Sequence, residues 1–126
     1  MNVYSINFNT DTFKIEAEVH GIEYSNLDEQ YDRLVELLNA EDLDVVDYNE
    51  DIAILVDYCG FEKKNNPVFQ IKTQDNISCQ LAGKLLFVRN IYNVESTDFG
   101  SVTAEDIIQL RNNLQIILKG LLESPL

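Results

Sequence analysis

Alternation of apolar and polar residues over the first twenty positions is the feature that most limits the fold of this chain. Side chains of a β-strand point alternately to opposite faces, so a period of two indicates strands with one buried and one wet face. Two such runs, residues 2–9 and 12–19, surround the polar cluster Asn9-Thr10-Asp11-Thr12 and predict an antiparallel hairpin. Its apolar face is expected to contain Tyr4, Ile6, Phe8, Phe13, Ile15, Ala17 and Val19.

Two other segments carry apolar residues at helical spacing. The first covers residues 25–40 and begins at a cap formed by Ser25 or Asn26. Its predicted buried stripe is Leu27, Tyr31, Leu34, Val35 and Leu38. The second begins at the cap Thr103 and ends near Gly120 and Pro125. Its predicted stripe is Ile107, Leu110, Leu114, Ile117, Leu118 and Leu121.

More strands are expected between the two helices. Residues 42–48 and 51–58 indicate a second hairpin turning at Asn49-Glu50-Asp51, and residues 52–56 are apolar on both faces, which is typical of a central strand. Residues 77–92 indicate two short strands, whereas residues 59–76 and 93–102 are assigned to irregular segments and loops. The fold class is therefore predicted as one α+β domain, residues 1–126, in which antiparallel hairpins form a sheet and both amphipathic helices pack on it, on one face.

Charge is distributed unevenly along the chain. The protein has 22 acidic and 9 basic residues and a formal net charge of −13. Residues 1–63 contain 16 acids and 3 bases, whereas residues 64–126 contain 6 of each, so the first half carries all of the net charge. Direct binding to nucleic acid is not expected, because phosphate backbones are bound by basic surfaces.

No motif for catalysis, metal binding or a cofactor is recognisable, and the chain is predicted not to be an enzyme. His20 is the only histidine, and a pairing with Cys59 has no support beyond the presence of both residues. The acidic run 41–51 lacks the glycine and the ligand spacing of a calcium loop, and Cys59 and Cys79 are expected to be reduced thiols. Without a secretory signal or a membrane-length apolar stretch, a cytoplasmic location is expected.

The acidic residues suggest a protein-binding surface. In a strand, residues two positions apart lie roughly 6.6–6.8 Å from each other on one face, as Asp42 and Asp44 would, a spacing comparable to that of phosphates along a nucleic-acid strand. The predicted contact residues are Asp28, Asp32, Glu36, Asp42, Asp44, Asp47, Glu50 and Asp51. The alternative is that these carboxylates only keep the protein soluble, since net charge speaks mainly to solubility.

Residues 52–110 resemble a family of small acidic domains of unknown function that phages and conjugative plasmids carry, often near antirestriction genes. The resemblance rests on Gly60, Asn66-Pro67, Gly83 and the run 98–103, Asp-Phe-Gly-Ser-Val-Thr. The turn in that family usually reads Pro-Asn-Arg, whereas this chain has Asn-Asn-Pro and no arginine. The resemblance implies a mobile-element context and no mechanism.

Together these observations predict a small acidic phage or mobile-element protein that inhibits a basic, nucleic-acid-handling or defence protein of the host. One alternative is a protein that binds a small nucleotide signal through Asn65, Asn66, Arg89, Asp98 and the loop 93–101. Another alternative is an immunity protein against a toxin nuclease, which would use the same electrostatics. A homodimer is a further expectation, through strand edges at residues 2–8 or 84–91.

Overall fold

A computed structural model describes residues 1–92 and 97–123, without the side chains of Tyr92, Thr97 and Asp98. The described residues form nine strands, two α-helices and one short 3-10 helix, Gly60–Glu62. The strands are β1 Asn2–Asn9, β2 Lys14–Gly21, β3 Leu43–Asp47, β4 Ile52–Asp57, β5 Pro67–Lys72, β6 Ser78–Ala82, β7 Leu85–Tyr92, β8 Thr97–Gly100 and β9 Gln115–Leu121. The helices are α1 Leu27–Leu38 and α2 Ala104–Asn113.

The strands form two antiparallel sheets. The large sheet has the order β2-β1-β7-β4-β3, and β8 also pairs with β7. Residues 85–87 of β7 pair with β1 and residues 89–92 pair with β8, so β8 continues the line of β1 along the same edge of β7. The small sheet has the order β6-β5-β9.

The main core lies between the two sheets. Alternate residues of β1, β4 and β7 face inward from the large sheet, and β5 and β6 face them from the small sheet. Phe87 is fully buried, and its ring lies 5.9 Å from that of Tyr4 and 6.5 Å from that of Tyr48. Leu110 adds one face of α2 to this cluster, so α2 packs on the same side of the large sheet as the small sheet.

Helix α1 covers the opposite face of the large sheet. Leu34 and Leu38 pack there with Leu55, Leu86 and Val88, which are all fully buried in the strands beneath. The two helices therefore lie on opposite faces of the large sheet, and this sheet is the middle layer of the molecule.

The α+β prediction of one sheet with both helices packed on the same face is wrong: the structure is mostly antiparallel β-sheet, in two sheets, and the helices lie on opposite faces of the large sheet. The predicted helix 103–121 stops at Asn113, and residues 115–121 form β9 against β5. Apolar residues at 116, 117 and 118 suit either a helix or a strand by pattern alone, and pairing with a distant strand decides between them. Gly120 lies in a β-bulge at positive φ rather than at a helix end.

Other expectations hold at the level of single elements. The hairpins β1–β2 and β3–β4 are present, β4 is buried along its whole length, and residues 77–92 contain two strands, β6 and β7. Asn26 caps α1, and Thr103 caps α2 in a capping box with Asp106. Strands β5 and β8 were not predicted; they lie within residues 59–76 and 93–102, which were expected to be irregular segments and loops.

The buried stripe of α1 differs from the predicted one. Leu27 and Tyr31 are 44% and 39% exposed, whereas Gln30 is 3% exposed. Gln30 tolerates burial because its amide donates to the carbonyl of Phe99 at 2.7 Å. The buried face of α1 therefore contains Gln30, Leu34 and Leu38, and it is rotated about the helix axis away from the predicted stripe.

Candidate acidic interface

The turn between β3 and β4 collects the acidic residues at one end of the large sheet. The side-chain oxygen of Asn49 accepts hydrogen bonds from the backbone N–H groups of Asp51 at 2.9 Å and Ile52 at 2.7 Å. Asparagine is typical of such turns, because its short side chain can replace a backbone acceptor. The turn consequently exposes the carboxylates of Asp47, Glu50 and Asp51.

A second turn, between β5 and β6, lies beside the first. The backbone N–H of Gln74 donates to the carbonyl oxygen of Tyr48 at 3.0 Å, which joins the two turns. An open cavity of about 710 Å³ lies between them, and we call it the acidic cleft. Its exposed carboxylates are Asp47, Glu50, Asp51 and Asp75.

A smaller cavity of about 330 Å³, which we call the inner cavity, continues the acidic cleft toward α2. The two cavities share Tyr48, Asn49, Asp51 and Gln74 among their walls. From α2 the inner cavity receives the carboxylate of Asp106 and the side-chain amides of Gln109 and Asn113. The side-chain amides both donate and accept hydrogen bonds, whereas the carboxylate of Asp51 only accepts, and its negative charge favours a cation over a phosphate.

Arg89 and Asp106 lock α2 onto the large sheet. The guanidinium donates two hydrogen bonds to the carboxylate, at 2.7 and 2.8 Å, and the backbone N–H of Thr103 donates a third at 2.8 Å. Burial by itself raises the pKa of Asp106, but the hydrogen bonds from Arg89 and Thr103 outweigh it and hold that pKa below its ordinary value. Arg89, a predicted ligand residue, therefore holds the wall of the inner cavity in place.

Asp42 and Asp44 do not form the regular row that the sequence predicts. Asp42 precedes β3, and its carboxylate accepts hydrogen bonds from the hydroxyl of Tyr31 on α1 and from the backbone N–H of Leu43. The bond from Tyr31 is the main reason why the pKa of Asp42 lies below its ordinary value. Asp44 lies within β3 and points to the same face of the strand as Val46, which packs against the core between the sheets. Of the two aspartates that were expected to form the row, only Asp44 therefore lies in the strand.

Three other predicted contact residues lie on α1. Asp28, Asp32 and Glu36 are four residues apart along the exposed face of the helix, opposite the stripe that packs on the large sheet. Arg33 neutralises part of this face, because its guanidinium contacts Glu36 at 3.1 Å and Glu29 at 3.9 Å. The large sheet separates this face of the molecule from α2 and the inner cavity, so the eight predicted carboxylates do not form one surface.

The residues of the predicted small-ligand pocket are not brought together either. The side-chain amide of Asn66 donates to the carbonyl of Gly60 at 2.9 Å, and the backbone N–H of Asn65 donates to that of Leu122 at 2.7 Å. Asn66 also lies against Gly83, just before β7, whereas Arg89 lies four residues, or about 13 Å, beyond the start of that strand. The side chain of Asp98 and residues 93–96 of the predicted loop lie outside the described part of the chain.

The structure gives no catalytic arrangement around His20 and Cys59. His20 lies on β2 and hydrogen-bonds through Nε2 to the buried Ser5 hydroxyl at 2.9 Å. Cys59 follows β4, which lies three strand spacings, or about 14 Å, across the sheet from β2. The register aligns His20 with Ala53, six residues before Cys59, so the two side chains lie farther apart than this spacing alone. A hydrogen bond with Glu62 raises the pKa of the Cys59 thiol, which keeps it protonated and a poor nucleophile.

Comparisons with known proteins give no match: no family model, no curated protein and no solved structure is similar to this chain. Within residues 1–92 and 97–123, no helix has the length and apolar character needed to cross a membrane. The same residues contain no group of three or more histidine, cysteine, aspartate or glutamate side chains placed to hold a metal ion.

The sequence did not reveal that Gln74 and Asp75 line the acidic cleft or that Asp106 lines the inner cavity. Asp75 is isolated in an irregular segment, and nothing in its sequence neighbourhood places it at the same cleft as the β3–β4 turn. The contact arises from the tertiary fold, through the bond between Gln74 and Tyr48.

Proposed function

We propose that this chain is a small acidic binding protein that inhibits a basic, nucleic-acid-handling or defence protein by occupying its cationic surface. The acidic cleft, formed by Asp47, Glu50, Asp51 and Asp75, makes the contact. The observation that carries this proposal is the net charge of −13, all of it from the first half of the chain, together with the concave site at which part of that charge gathers.

The electrostatic state of the cleft supports the proposal. Among the residues that the structure describes, Asp47, Asp51 and Asp75 form no ion pair with a lysine or arginine. The nearby Arg89 is already paired with Asp106. Asp47 accepts a hydrogen bond from the side-chain amide of Asn90 at 3.3 Å, and Asp51 lies in the field of Arg89, but neither carboxylate is neutralised by an ion pair within the described part of the chain. Such carboxylates are available to an incoming cation, and their field accelerates the encounter with a basic protein at low salt.

The α1 carboxylates are assigned to solubility rather than to the contact. Arg33 lies among them and contacts Glu36 at 3.1 Å and Glu29 at 3.9 Å, so part of their charge is neutralised within the helix. They also provide a matched control, because three charges can be removed from either place with the same change in net charge.

The test compares two triple variants. The cleft variant is Asp47→Asn, Asp51→Asn and Asp75→Asn. The control is Asp28→Asn, Asp32→Asn and Glu36→Gln on α1. The probes are purified basic endonucleases, including restriction enzymes and toxin nucleases, and the measurements are the dissociation constant and the inhibition of DNA cleavage, at low and at high salt.

We expect the cleft variant to bind about tenfold to thirtyfold more weakly, since three surface ion pairs at roughly 0.5–0.7 kcal/mol each contribute about 1.4–2 kcal/mol in total. The control should bind within about twofold of the unmodified protein, and high salt should weaken binding throughout. An equal loss of affinity in both variants would mean that net charge alone determines binding, and it would refute the assignment of the contact to the acidic cleft. If no basic nuclease binds at low salt, the proposed class of partner is wrong.

The immunity-protein alternative remains within this proposal, because a toxin nuclease is one kind of basic partner and the probes include it. The small-ligand alternative gains no support from the geometry. Asn66 and Arg89 are engaged within the fold and lie apart, and the cavity lined by Asp51 and Asp106 carries carboxylates that disfavour nucleotide phosphates.

A further inference from the structure

Strand β2 forms an open edge of the large sheet. It pairs with β1 along its whole length, and in the described part of the chain no strand pairs with its other side. Every residue from Lys14 to Val19 is exposed, and the apolar Ile15 and Val19 are 46% and 52% exposed. Long edges of this kind with apolar side chains are a template for pairing with another strand.

The hydrogen-bonded pair at the end of the β1–β2 ladder shows which backbone groups of β2 point toward β1 and which point toward the open edge. Met1 and Ile22 exchange two hydrogen bonds, at 2.8 and 3.1 Å. Hydrogen-bonded and non-hydrogen-bonded pairs alternate in an antiparallel ladder, so Lys14, Glu16 and Glu18 direct their N–H and C=O groups toward β1. The N–H and C=O groups of Ile15, Ala17 and Val19 consequently point outward, toward the open edge.

We propose that a second copy of this chain pairs antiparallel through β2, with Ile15 at the twofold axis. In this register the outward groups of the two Ile15 residues bond to each other, and Lys14 of each copy lies opposite Glu16 of the other. These ion pairs fall at non-hydrogen-bonded positions, where the Cα atoms are only about 4.5 Å apart and side chains approach most closely.

Charge selects this register over its neighbours. Placing Glu16 at the axis sets the two Glu16 carboxylates against each other, and placing Ala17 there sets Glu16 against Glu18 twice. Only the Ile15-centred register of these three has two opposite-charge pairs and no like-charge pair. It also brings the two Ile15 side chains together on the apolar face, beside the exposed Phe13.

This interface replaces the edges expected from the sequence. The expected edges at residues 2–8 and 84–91 belong mainly to β1 and β7. β1 pairs with β2 along its whole length and with β7 at residues 4–6, and β7 lies between β4 on one side and β1 and β8 on the other, so neither strand offers an open edge as long as that of β2. The dimer also responds to salt in the opposite sense to the proposed acidic contact. Two copies with a charge of −13 repel each other overall, so screening by salt strengthens the dimer.

The test uses charge reversal at the two paired positions. Lys14→Glu creates two Glu–Glu pairs and Glu16→Lys creates two Lys–Lys pairs. The dimer dissociation constant of each variant alone, measured by sedimentation velocity, should therefore be at least about tenfold higher than that of the unmodified protein. An equimolar mixture restores both opposite-charge pairs across the interface, and it should form a heterodimer as stable as that of the unmodified protein. Far-UV circular dichroism of each variant establishes that it is folded.

A second measurement needs no variant. Amide hydrogen exchange at Ile15 should slow as the concentration of the unmodified protein rises, whereas exchange at exposed turn amides such as that of Asp75 should not change. Exchange at Ile15 that is independent of concentration, or a mixture that stays monomeric while both variants are folded, overturns the proposal. Neither result bears on the acidic cleft, whose test is nuclease binding.

Discussion

The pairing of Arg89 with Asp106 yields a prediction that the structure makes quantitative. Asp106→Asn removes the charge from a carboxylate that accepts two bonds from the guanidinium and one from the capping N–H of Thr103. The side chain of Arg89 is 37% exposed, so solvent screens the pair, and we assign it about 1–2 kcal/mol. Weakening of the cap adds about 0.5 kcal/mol, which gives a total near 2 kcal/mol.

The matched control is Glu105→Gln. It removes the same charge from the same first turn of α2, but the side chain is exposed and makes no bond to Arg89 among the described contacts. Its loss should be limited to about 0.3–0.5 kcal/mol from the helix dipole. Urea unfolding at neutral pH measures both variants, and a loss of 2 kcal/mol lowers the midpoint by about 1 M for an m-value near 2 kcal/mol/M.

The same pair predicts a pH dependence. The pKa of Asp106 is lower in the folded than in the unfolded protein, so its contribution is complete above the unfolded value of about 3.9 and is lost as the pH falls through the folded value. The difference in stability between the unmodified protein and Asp106→Asn should therefore shrink below about pH 4. Equal losses for the Asp106 and Glu105 variants, or a difference that does not change with pH, would refute this account.

Three further predictions concern the core, a close backbone contact and the Tyr31–Asp42 bond. Phe87→Ala should lower the free energy of unfolding by about 3–5 kcal/mol in urea titration, because a fully buried ring is removed between the sheets; a loss under about 1 kcal/mol contradicts that packing. Gly60→Ala places a Cβ 2.3 Å from the carbonyl oxygen of Ala82 and should lower Tm, whereas Gly21→Ala, with its nearest atom at 3.8 Å, should leave Tm nearly unchanged in calorimetry. Asp42→Ala removes the acceptor whose hydrogen bond chiefly raises the pKa of Tyr31, so ultraviolet titration should show that pKa moving back toward about 10; an unchanged titration excludes the bond in solution.

Local pattern was sufficient where an element depends on its own residues. The period of two in residues 2–21 identified the first hairpin, and the buried run 52–57 identified a central strand. Helix starts were readable for the same reason, since Asn26 and Thr103 form their capping bonds within three residues. The uneven charge is also a property of the sequence alone.

Residues 115–121 show where local pattern failed. Their apolar positions fit a continuation of α2, but Leu114 adopts an extended conformation and the chain pairs with β5, some fifty residues earlier. The backbone hydrogen bonds of β9 are made by a strand that no local pattern can supply, and burial of Ile116 and Leu118 against the core favours that pairing. The same pairing turns β5 into the central strand of a sheet that the sequence did not predict.

The sequence by itself determined the strand hairpins, the helix caps and the presence of a strongly acidic first half. Only the tertiary structure decided which acids share a surface: it joined Asp75 to the β3–β4 turn, held Asp42 against α1, and placed the α1 carboxylates on a separate face. The physical reason is that capping and alternation act over a few residues, whereas the grouping of charges depends on contacts between turns and sheets that are distant along the chain.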